Sequence, residues 1–390
     1  MRTHTILSLS LLAGLVALFG NAHAQQALLA TTRADMQPHR LVSLPAPTAA
    51  IERKPVAFAW ALDPSVALSQ PAPLRASSRE YWQTVDDVSL AKGLDLPTTA
   101  QGALIRISPA QGAAPLQEAA LSVTDGKRPI TIARLADAQS LQQAGMPVSA
   151  GTQVLRLGAG SGAGHAVLRA SNARGNYVVH VFEPASDVVL DAQPSRNSGL
   201  AGQPMQVTIR ASRSGVNAAA QVQALLVAPD GRNTPVSVQR AADGSLQAVF
   251  TPAGNSRTAG LWELQVFGMV GDAPRDVRTA FAIAQPTASF VGNLQQSTDM
   301  HVSLAVRAAS AGRYEARGTL YATGPDGQLH AVSEAHAAAW MEPGQHRLTL
   351  PFAKAHLPIG YGAPFELRQL ELHDQSRMAP LELRTRAARL

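Results

Sequence analysis

The feature that most constrains this fold is a repeated hairpin pattern, found at residues 222–231 and again at residues 316–327. Each copy ends in Pro-Asp-Gly, with its acidic residue at Asp230 or Asp326, and is followed by another extended run. Asp-Gly between β-prone runs predicts a type I′ turn, because Gly adopts positive φ freely and Asp tolerates it better than most residues. The two turns lie about 100 residues apart, the size of one immunoglobulin-like sandwich. Tandem β-sandwiches are therefore predicted.

The N-terminus has the three parts of a secretory signal peptide. A basic start at Arg2 precedes an apolar run over residues 6–20 and a small-x-small pattern at Ala22 and Ala24, which predicts cleavage after Ala24. A membrane anchor is the alternative, but the apolar run is shorter than the roughly 18 to 20 residues that span a bilayer. Residues 1–24 are therefore predicted to be a signal peptide, and the processed chain is expected in the periplasm or outside the cell, not spanning the membrane.

Composition narrows the class of protein. The chain of 390 residues has no Cys, so its domains must be stabilised by core burial without disulfides. Lys and Arg number 33 against 27 Asp and Glu, but the basic residues are scattered along the chain, and nucleic-acid binding is therefore not expected.

Turn composition and hydrophobic alternation divide the processed chain into four parts. Residues 25–50, rich in Pro, Ala and Thr, predict a disordered leader. A β-rich N-terminal domain is predicted at residues 51–187, and immunoglobulin-like β-sandwiches are predicted at residues 188–284 and 285–390. The first sandwich has the clearest period-two alternation, at Met205, Val207, Ile209, Leu246, Ala248 and Phe250. The predicted fold class is mostly β, with tandem immunoglobulin-like sandwiches after a β-rich domain that contains one or two short helices.

Within the N-terminal domain, residues 56–60 predict an early strand. Residues 78–90 space their apolar side chains helically and stop near Gly93, and residues 134–144 form a second candidate helix. This domain is therefore expected to be less purely β than the two sandwiches.

The last domain contains a strand whose apolar side chains change face. Phe365 and Leu367 share one face of the extended run, whereas Leu370 and Leu372 point to the other. A strand of this kind requires a β-bulge or a bend.

The last domain also has a loop, bracketed by Gly and Pro, that the preceding domain lacks. Its Ile359 and Tyr361 are candidate contact residues, because an aromatic side chain at a loop tip can form a contact surface. The alternative, which the pattern favours, is that both side chains fold back onto the sandwich.

No motif in the chain assigns a reaction. The Gly-rich residues 158–164 lack the Gly spacing of a dinucleotide fingerprint, and Ser161 has Ala159 and Ala163 where a nucleophile elbow needs Gly. A flexible hairpin loop is the favoured interpretation. No catalytic, cofactor-binding or metal-ligating residue is therefore assigned, and no cofactor is expected.

The histidines leave one alternative open. Six of the 11 His lie in the last domain, and a metal site using His373 and Asp374 with His330 or His336 is conceivable. No pair has a tight ligand spacing, so scattered surface His is the favoured interpretation.

Four segments, at residues 79–85, 96–109, 177–184 and 365–378, carry a resemblance that covers nearly the whole processed chain. They resemble an uncharacterised family of exported proteobacterial proteins defined by domain of unknown function 4785. It implies an exported protein with an N-terminal β-rich domain followed by immunoglobulin-like domains. It implies no activity and no catalytic residues.

The sequence favours an exported, non-enzymatic binding protein whose loops and sheet edges contact another protein or a glycan at the cell envelope or outside the cell. One alternative is a secreted hydrolase, metal-dependent or not, with its site in the N-terminal domain or at a domain junction. A cleft in which three or more His, Asp or Glu side chains converge would favour that alternative. Another alternative is an accessory protein for export or envelope assembly.

The signal peptide predicts a defined mature N-terminus. Expression in a proteobacterial host should give a secreted or periplasmic product that begins at Gln25, as read by N-terminal sequencing or intact mass. Ala22→Arg combined with Ala24→Arg should block processing and leave the longer chain in the cell. Recovery of the unmodified wild type with Met1 still attached would contradict the signal peptide.

Overall fold

The computed structural model describes residues 24–69, 72–158, 164–254, 258 and 260–390. It divides into two compact units, one formed by the described residues up to Leu68 together with Thr287–Leu390, and the other by Ser69–Pro286. We call them unit 1 and unit 2. The described chain is mostly β with two short α-helices, which confirms the predicted fold class.

The secondary structure elements follow in chain order. Before residue 69 lie β1 (Ala24–Ala27) and β2 (Val56–Ala61). Next come β3 (Ala76–Ser78), β4 (Glu80–Asp86), α1 (Asp87–Lys92), β5 (Leu94–Thr98), β6 (Leu104–Pro109), β7 (Leu121–Thr124), β8 (Ile132–Asp137), α2 (Ala138–Gln143), β9 (Gln153–Leu157), β10 (Gly164–Ala170) and β11 (Asn176–Phe182).

The chain continues with β12 (Val188–Pro194), β13 (Ser198–Leu200), β14 (Met205–Arg213), β15 (Val216–Asn217), β16 (Ala220–Val227), β17 (Asn233–Val236), β18 (Val238–Arg240), β19 (Leu246–Phe250), β20 (Trp262–Val270) and β21 (Ala273–Ala284). The last elements are β22 (Ala288–Phe290), β23 (Asn293–Gln296), β24 (Val302–Ala308), β25 (Gly312–Thr323), β26 (Leu329–Met341), β27 (Gly344–Leu350), β28 (Gly362–Asp374) and β29 (Ala379–Arg389). Short 3₁₀ turns occur at Glu118–Ala120 and Lys354–His356.

Unit 2 contains two hydrophobic cores that share one long sheet. The sheet has the order β17-β16-β20-β21-β4-β11-β6-β9-β8, with β13 beside β21. Side chains from Tyr81 to Val181 form one core, which includes strands of the small β5-β10-β7 sheet, and side chains from Val188 to Phe281 form the other. The second core includes strands of the β18-β19-β14-β12-β3 sheet.

The strands of the second core form because their sequences alternate. Met205, Val207 and Ile209 on β14 are almost completely buried, whereas the residues between them are at least partly exposed. Period-two alternation of this kind buries one face of a strand and leaves the other in water.

The long sheet passes from one core to the other through a single backbone bridge. Strands β4 and β21 pair only at Glu80 and Asp276. Beside this bridge, Arg275 and Glu183 form a salt bridge of 2.7 Å in which both side chains are 0% exposed. The Arg275 guanidinium also donates to the hydroxyls of Thr99 and Ser186, each at 2.8 Å.

The buried pair is saturated with hydrogen bonds. Nε of Arg275 donates to the carbonyl of Val188 at 3.0 Å, and Nη1 donates to the carbonyl of Pro274 at 2.7 Å. The Glu183 carboxylate accepts from the backbone amides of Thr99 and Ala100. Because burial of an unpaired charge is costly, these bonds are the condition for placing two charges between the cores.

Unit 1 is built from two five-stranded sheets, β2-β26-β25-β28-β29 and β1-β23-β24-β22, the latter with β27 beside β24. Leu350 of β27 and Leu367 of β28 both approach Gly318 of β25, so the two sheets meet there. The predicted bulge is confirmed: the β28–β29 register shifts between Leu367 and Arg368, and Gln369 has a φ of 48°. The shift allows Leu367 and Leu370 to be fully buried although they are three positions apart, which would place them on opposite faces of a regular strand.

The repeated hairpin turns share one conformation, but it is not type I′. Gly231 and Gly327 have positive φ, whereas Asp230 and Asp326 do not. The amide of each Gly donates to the carbonyl of the residue three positions earlier. The negative φ of each Asp excludes the type I′ geometry. The preceding Pro, whose own φ is fixed negative, suits the first central position of a type I turn followed by a left-handed Gly.

The two helices predicted in the N-terminal domain are shorter than expected. Most of residues 78–90 form β4, and only Asp87–Lys92 is helical, with the side chain of Asp86 as N-cap and Gly93 as C-cap. Tyr81 and Val85 are four positions apart, a spacing that fits one face of a strand as well as one face of a helix. This segment forms a strand because it pairs with β11. Residues 134–144 divide in the same way between β8 and α2.

Two segments near the N-terminus lie elsewhere than predicted. Within residues 25–50, expected to be a disordered leader, β1 pairs with β23, and Met36 forms a two-way bridge with Leu383. Strand β2, expected in the N-terminal domain, pairs with β26. Neither outcome follows from local composition, because both segments obtain their backbone partners from residues more than 250 positions later.

Residues 159–163, the centre of the Gly-rich loop prediction, and residues 1–23 of the signal peptide prediction lie outside the described residues. Across the described part of the chain, none of the helices has the length and apolarity that crossing a membrane requires.

The buried pair generates a stability prediction. Glu183→Ala should lower the free energy of unfolding by about 3–5 kcal/mol, because it leaves the Arg275 charge buried without its partner. Replacing both residues, as Glu183→Leu with Arg275→Met, should recover much of that loss. Urea unfolding of Glu183→Leu, Arg275→Met and the double variant measures the coupling energy between the two side chains.

Asp272→Ala is the control, because it breaks an exposed pair with Arg213 in the same unit and should change stability little. An effect of Glu183→Ala no larger than that of the control would show that the buried pair does not hold the two cores together.

Candidate functional site

A cleft opens in unit 2 where β4 and β21 separate after their single bridge. It has a volume of about 590 Å³, within the roughly 300–1,000 Å³ typical of small-molecule sites. Strands β4, β20 and β21 and the β5 segment line it, with side chains that include Trp82, Gln83, Asp95, Phe267, Asp276 and Arg278. We call it the junction cleft.

Asp276 takes the place of a backbone acceptor at the point where the strands diverge. Its Oδ2 accepts a hydrogen bond of 2.7 Å from the backbone amide of Trp82. The side chain thus occupies the position that a carbonyl of a continuing strand would occupy. It holds the gap between β4 and β21 open while the amide of Trp82 keeps a partner.

The same carboxyl group has a perturbed pKa. Burial raises the pKa of Asp276 from 3.8 to about 6, against the opposing effects of the Trp82 hydrogen bond and the Arg278 charge. The Glu80 carboxylate raises this pKa further by charge repulsion. A carboxyl group that titrates near neutral pH inside a cleft is a common mark of a functional site.

Trp82 is held in place by two contacts. Its ring stacks on the imidazole of His180 at 4.5 Å between centroids, with 10° between the planes. The guanidinium carbon of Arg278 lies 4.5 Å from the centre of the indole ring, within the range of cation–π attraction. The cleft therefore presents a fixed aromatic group beside a fixed cation.

A second carboxylate stands beside this stack. Oε2 of Glu80 lies 2.8 Å from Nε2 of His180, so the imidazole that stacks on Trp82 is held by hydrogen bonding as well. Glu80, His180 and Asp276 lie close enough for both of the first two to act on the pKa of the third. Three ionisable side chains are therefore grouped here, and of these Asp276 lines the junction cleft.

Gln83 offers the cleft a free hydrogen-bond donor. It lines the cleft, and its buried Nε2 has no hydrogen-bond partner among the described residues. Buried polar atoms are generally paired, so this donor is available to a ligand acceptor once the side chain turns toward the cleft.

Together these groups suit a neutral, polyhydroxylated ligand. The cleft combines aromatic surfaces with amide, carboxylate and guanidinium side chains, and it carries acidic and basic groups side by side. Carboxylates accept from hydroxyls, whereas amide and guanidinium N–H groups donate to them. Such a mixture offers both kinds of hydrogen bond without one dominant charge.

The sequence-predicted contact residues are not among those that line this cleft. Ile359 is fully exposed, whereas Tyr361 is partly buried and meets the ring of His330 edge-on at 5.6 Å. Ala24, the predicted cleavage residue, is the first residue of β1 and is opposite Gln296. All of these residues belong to unit 1.

The histidines considered for a metal site have separate carboxylate partners. His373 binds Glu371 at 2.6 Å, His330 binds Asp326 at 2.9 Å, and His336 binds Glu315 at 2.6 Å. Asp374 is buried and pairs with Arg377. Within the described ranges, no three His, Asp or Glu side chains are grouped so as to hold a metal ion.

No local sequence pattern indicates the residues of the junction cleft. Trp82 and Asp276 are separated by almost 200 residues, and β4 was expected to be helical. One local signal was present: on β21, Arg275 occupies a position that alternation assigns to the buried face, and a charge at such a position needs a special partner.

Comparison with known proteins identifies relatives by sequence and by fold. Residues 47–183 match the family model described as the N-terminal domain of the domain of unknown function DUF4785, and residues 287–390 match its C-terminal domain. No protein with curated annotation is significantly similar to the chain.

A solved structure shares the fold. It is the 2.00 Å crystal structure of a DUF4785 family protein from Legionella pneumophila subsp. pneumophila str. Philadelphia 1. The similarity has a TM-score of 0.68 at 18% sequence identity, and it covers 91% of this chain and 99% of that chain. A similarity at this level of identity shows the fold alone.

The raised pKa of Asp276 predicts a pH-dependent stability. Because the folded chain binds this proton more tightly than the unfolded chain, the stability that protonation contributes is fully present below about pH 4 and is lost as the pH rises through about 6. Asp276→Asn should therefore stabilise the protein at pH 7.5 by about 1–2 kcal/mol, allowing for solvent screening of this partly exposed group, and by much less at pH 4.

Urea unfolding at the two pH values measures the difference. Asp243→Asn, which changes an exposed carboxylate that accepts a hydrogen bond from Ser245, should give no gain at pH 7.5. Equal stability of the wild type and Asp276→Asn at pH 7.5 would mean that Asp276 is not strained by burial.

Proposed function

The chain belongs to the DUF4785 family, and from this premise we propose that it is an exported, non-enzymatic binding protein whose junction cleft binds a neutral saccharide. The observation that carries the proposal is the cleft wall itself, where Trp82, Gln83, Asp276 and Arg278 surround a space of about 590 Å³. The signal-like N-terminus supports export. The family defines no activity, so the ligand is argued from the site.

Each wall group has a role in binding a saccharide. The apolar face of a sugar ring packs against Phe267 and the edge of Trp82, because the ring of Trp82 already stacks on His180 and meets Arg278. The hydroxyls of the sugar donate to the carboxylates of Asp95 and Asp276 and accept from Arg278 and, once its side chain turns toward the cleft, from Nε2 of Gln83. Trp82 and Arg278 already contact each other without ligand, so little conformational entropy is lost when the ligand binds.

Saccharide binding would also explain why the chain keeps Asp276, although burial disfavours its charged carboxylate. Asp276 is costly to the fold near neutral pH because burial disfavours its charge. Hydroxyl groups of a ligand would donate to that charged carboxylate and offset the penalty. A residue that destabilises the free protein and is relieved in the complex is typical of a binding site.

A saccharide hydrolase is the second candidate. The observation in its favour is that Glu80, His180 and Asp276 converge at one edge of the cleft, and that Asp276 has a pKa of about 6. A general acid requires a pKa near the working pH. Against it, Asp276 already accepts the Trp82 amide hydrogen bond, which fixes it as an acceptor at the strand junction.

The test is a screen of the processed protein on an array of neutral and charged glycans, followed by calorimetric titration of the best ligand. Trp82→Ala and Gln83→Ala should each raise the Kd by roughly tenfold or more, as expected for central contacts. Asp243→Asn in the same unit should leave the Kd unchanged. Failure to bind any saccharide, or equal binding by the Trp82→Ala variant, would overturn the proposal.

Chromatography of the saccharide after long incubation separates the two candidates. A binding protein returns the saccharide intact, whereas a hydrolase releases shorter products. Cleavage by the wild type that Asp276→Asn abolishes would replace the binding function with the hydrolase.

A further inference from the structure

Strand β2 of unit 1 is an unprotected sheet edge. It is the terminal strand of the β2-β26-β25-β28-β29 sheet, and among the described strands it pairs with β26 alone. Its sequence from Val56 to Ala61 contains no charge and no Pro. Proteins usually protect such edges with charged residues, Pro, bulges or a covering segment, because an open edge can pair with another strand.

The open side of β2 carries unpaired backbone groups. The amide of Leu62 donates to the carbonyl of Val332 at 2.9 Å. Because ladder bonds alternate along an antiparallel strand, Trp60, Phe58 and Val56 direct their backbone groups toward β26 in the same way. The amides and carbonyls of the alternate residues, Ala57, Ala59 and Ala61, therefore point away from the sheet.

The side chains of β2 are unusually apolar for their exposure. Val56, Phe58 and Trp60 share one face and are 43%, 49% and 40% exposed. The rings of Phe58 and Trp60 are 5.8 Å apart, and each lies 5.2 Å from the imidazole of His336 on β26. Exposed apolar groups clustered in this way mark an interaction surface.

We propose that β2 pairs with β2 of a second copy of this chain, antiparallel and centred on Ala59. In this register, Ala59 of one copy is opposite Ala59 of the other, and Ala57 is opposite Ala61. These are the residues whose backbone groups are free, so every added bond uses an open donor and acceptor. The contact is isologous, as two-fold symmetry requires.

The same register brings complementary side chains together. Phe58 of one copy is opposite Trp60 of the other on the same face, which joins the two aromatic clusters across the two-fold axis. The strand ends have opposite net charges: Glu52, Arg53 and Lys54 precede β2, and Asp63 follows it, all exposed. Antiparallel pairing places the basic end of one copy beside the acidic end of the other, whereas parallel pairing would put like charges together.

The absence of Cys from this chain allows a direct test of the register. Ala59→Cys in the full processed chain should form a disulfide-linked dimer under mild oxidation, since residues opposite each other in such a ladder have Cα atoms about 5.5 Å apart. Ala57→Cys, its matched control, should not link to itself, because position 57 is opposite 61. A mixture of Ala57→Cys and Ala61→Cys should form a linked heterodimer.

Sedimentation equilibrium tests the association without Cys. The wild type should be a dimer that dissociates on dilution. Phe58→Lys should raise the dimer Kd by about tenfold or more, because it removes an aromatic pair twice in the symmetric contact. Val249→Lys, at an exposed apolar strand position of unit 2 that is 55% exposed, should leave the Kd unchanged.

The result expected is dimer formation with linkage at position 59 and none at position 57 alone. A wild type that stays monomeric at the highest concentration reached, or linkage at position 57 as efficient as at position 59, would overturn the proposal. So would a dimer that Phe58→Lys leaves intact while circular dichroism shows that the variant is folded. If Ala59→Cys linked only to another protein of an envelope extract, the edge would accept a different partner and self-pairing would be wrong.

Discussion

The buried salt bridge between Arg275 and Glu183 is the interaction on which unit 2 depends. Two hydrophobic cores share one sheet, yet the backbone joins their strands at one bridge only, between Glu80 and Asp276. Arg275 supplies the missing connection by binding Glu183, Thr99, Ser186 and the carbonyl of Val188. Because both charges are removed from water, the network is stable only with all its partners present. It therefore fixes the position of β21 relative to the turn before β6 and the segment after β11.

The junction cleft is a consequence of the same arrangement. Successive residues of a strand point to opposite faces, so Arg275 points into the junction and Asp276 points out toward the cleft. Where β4 and β21 diverge, the Asp276 carboxylate accepts the Trp82 amide hydrogen bond that a backbone carbonyl would otherwise accept. Arg275, which forms the buried salt bridge, and Asp276, whose carboxylate lies at the cleft, are thus adjacent in sequence. The buried carboxylate of Asp276 is therefore next to the hydrogen-bond network of Arg275.

Sequence reasoning was most successful where a local pattern and a tertiary contact agree. The alternation of Met205, Val207 and Ile209 appears as one buried face, and the change of face between Leu367 and Leu370 appears as a register shift. Prediction from sequence failed where one pattern of apolar residues fits both a helix and a strand. Tyr81 and Val85 fit a helix or a strand equally well, and pairing with β11 made the strand. Composition was also insufficient for residues 25–50, whose Pro content suits a free segment although Met36 pairs with Leu383.

The sequence by itself determined the mostly β fold, the repeated Pro-Asp-Gly hairpins and the bulge in β28, because alternation, turn chemistry and the rigid φ of Pro act over a few residues. Only the tertiary structure decided that β2 is the edge of a sheet formed by the C-terminal strands, and that Trp82, Asp276 and Arg278 line one cleft. These features join residues far apart in the chain. Strand pairing is set by backbone hydrogen bonds, which every residue but Pro can both donate and accept, so the local sequence carries little information about which strand becomes the partner.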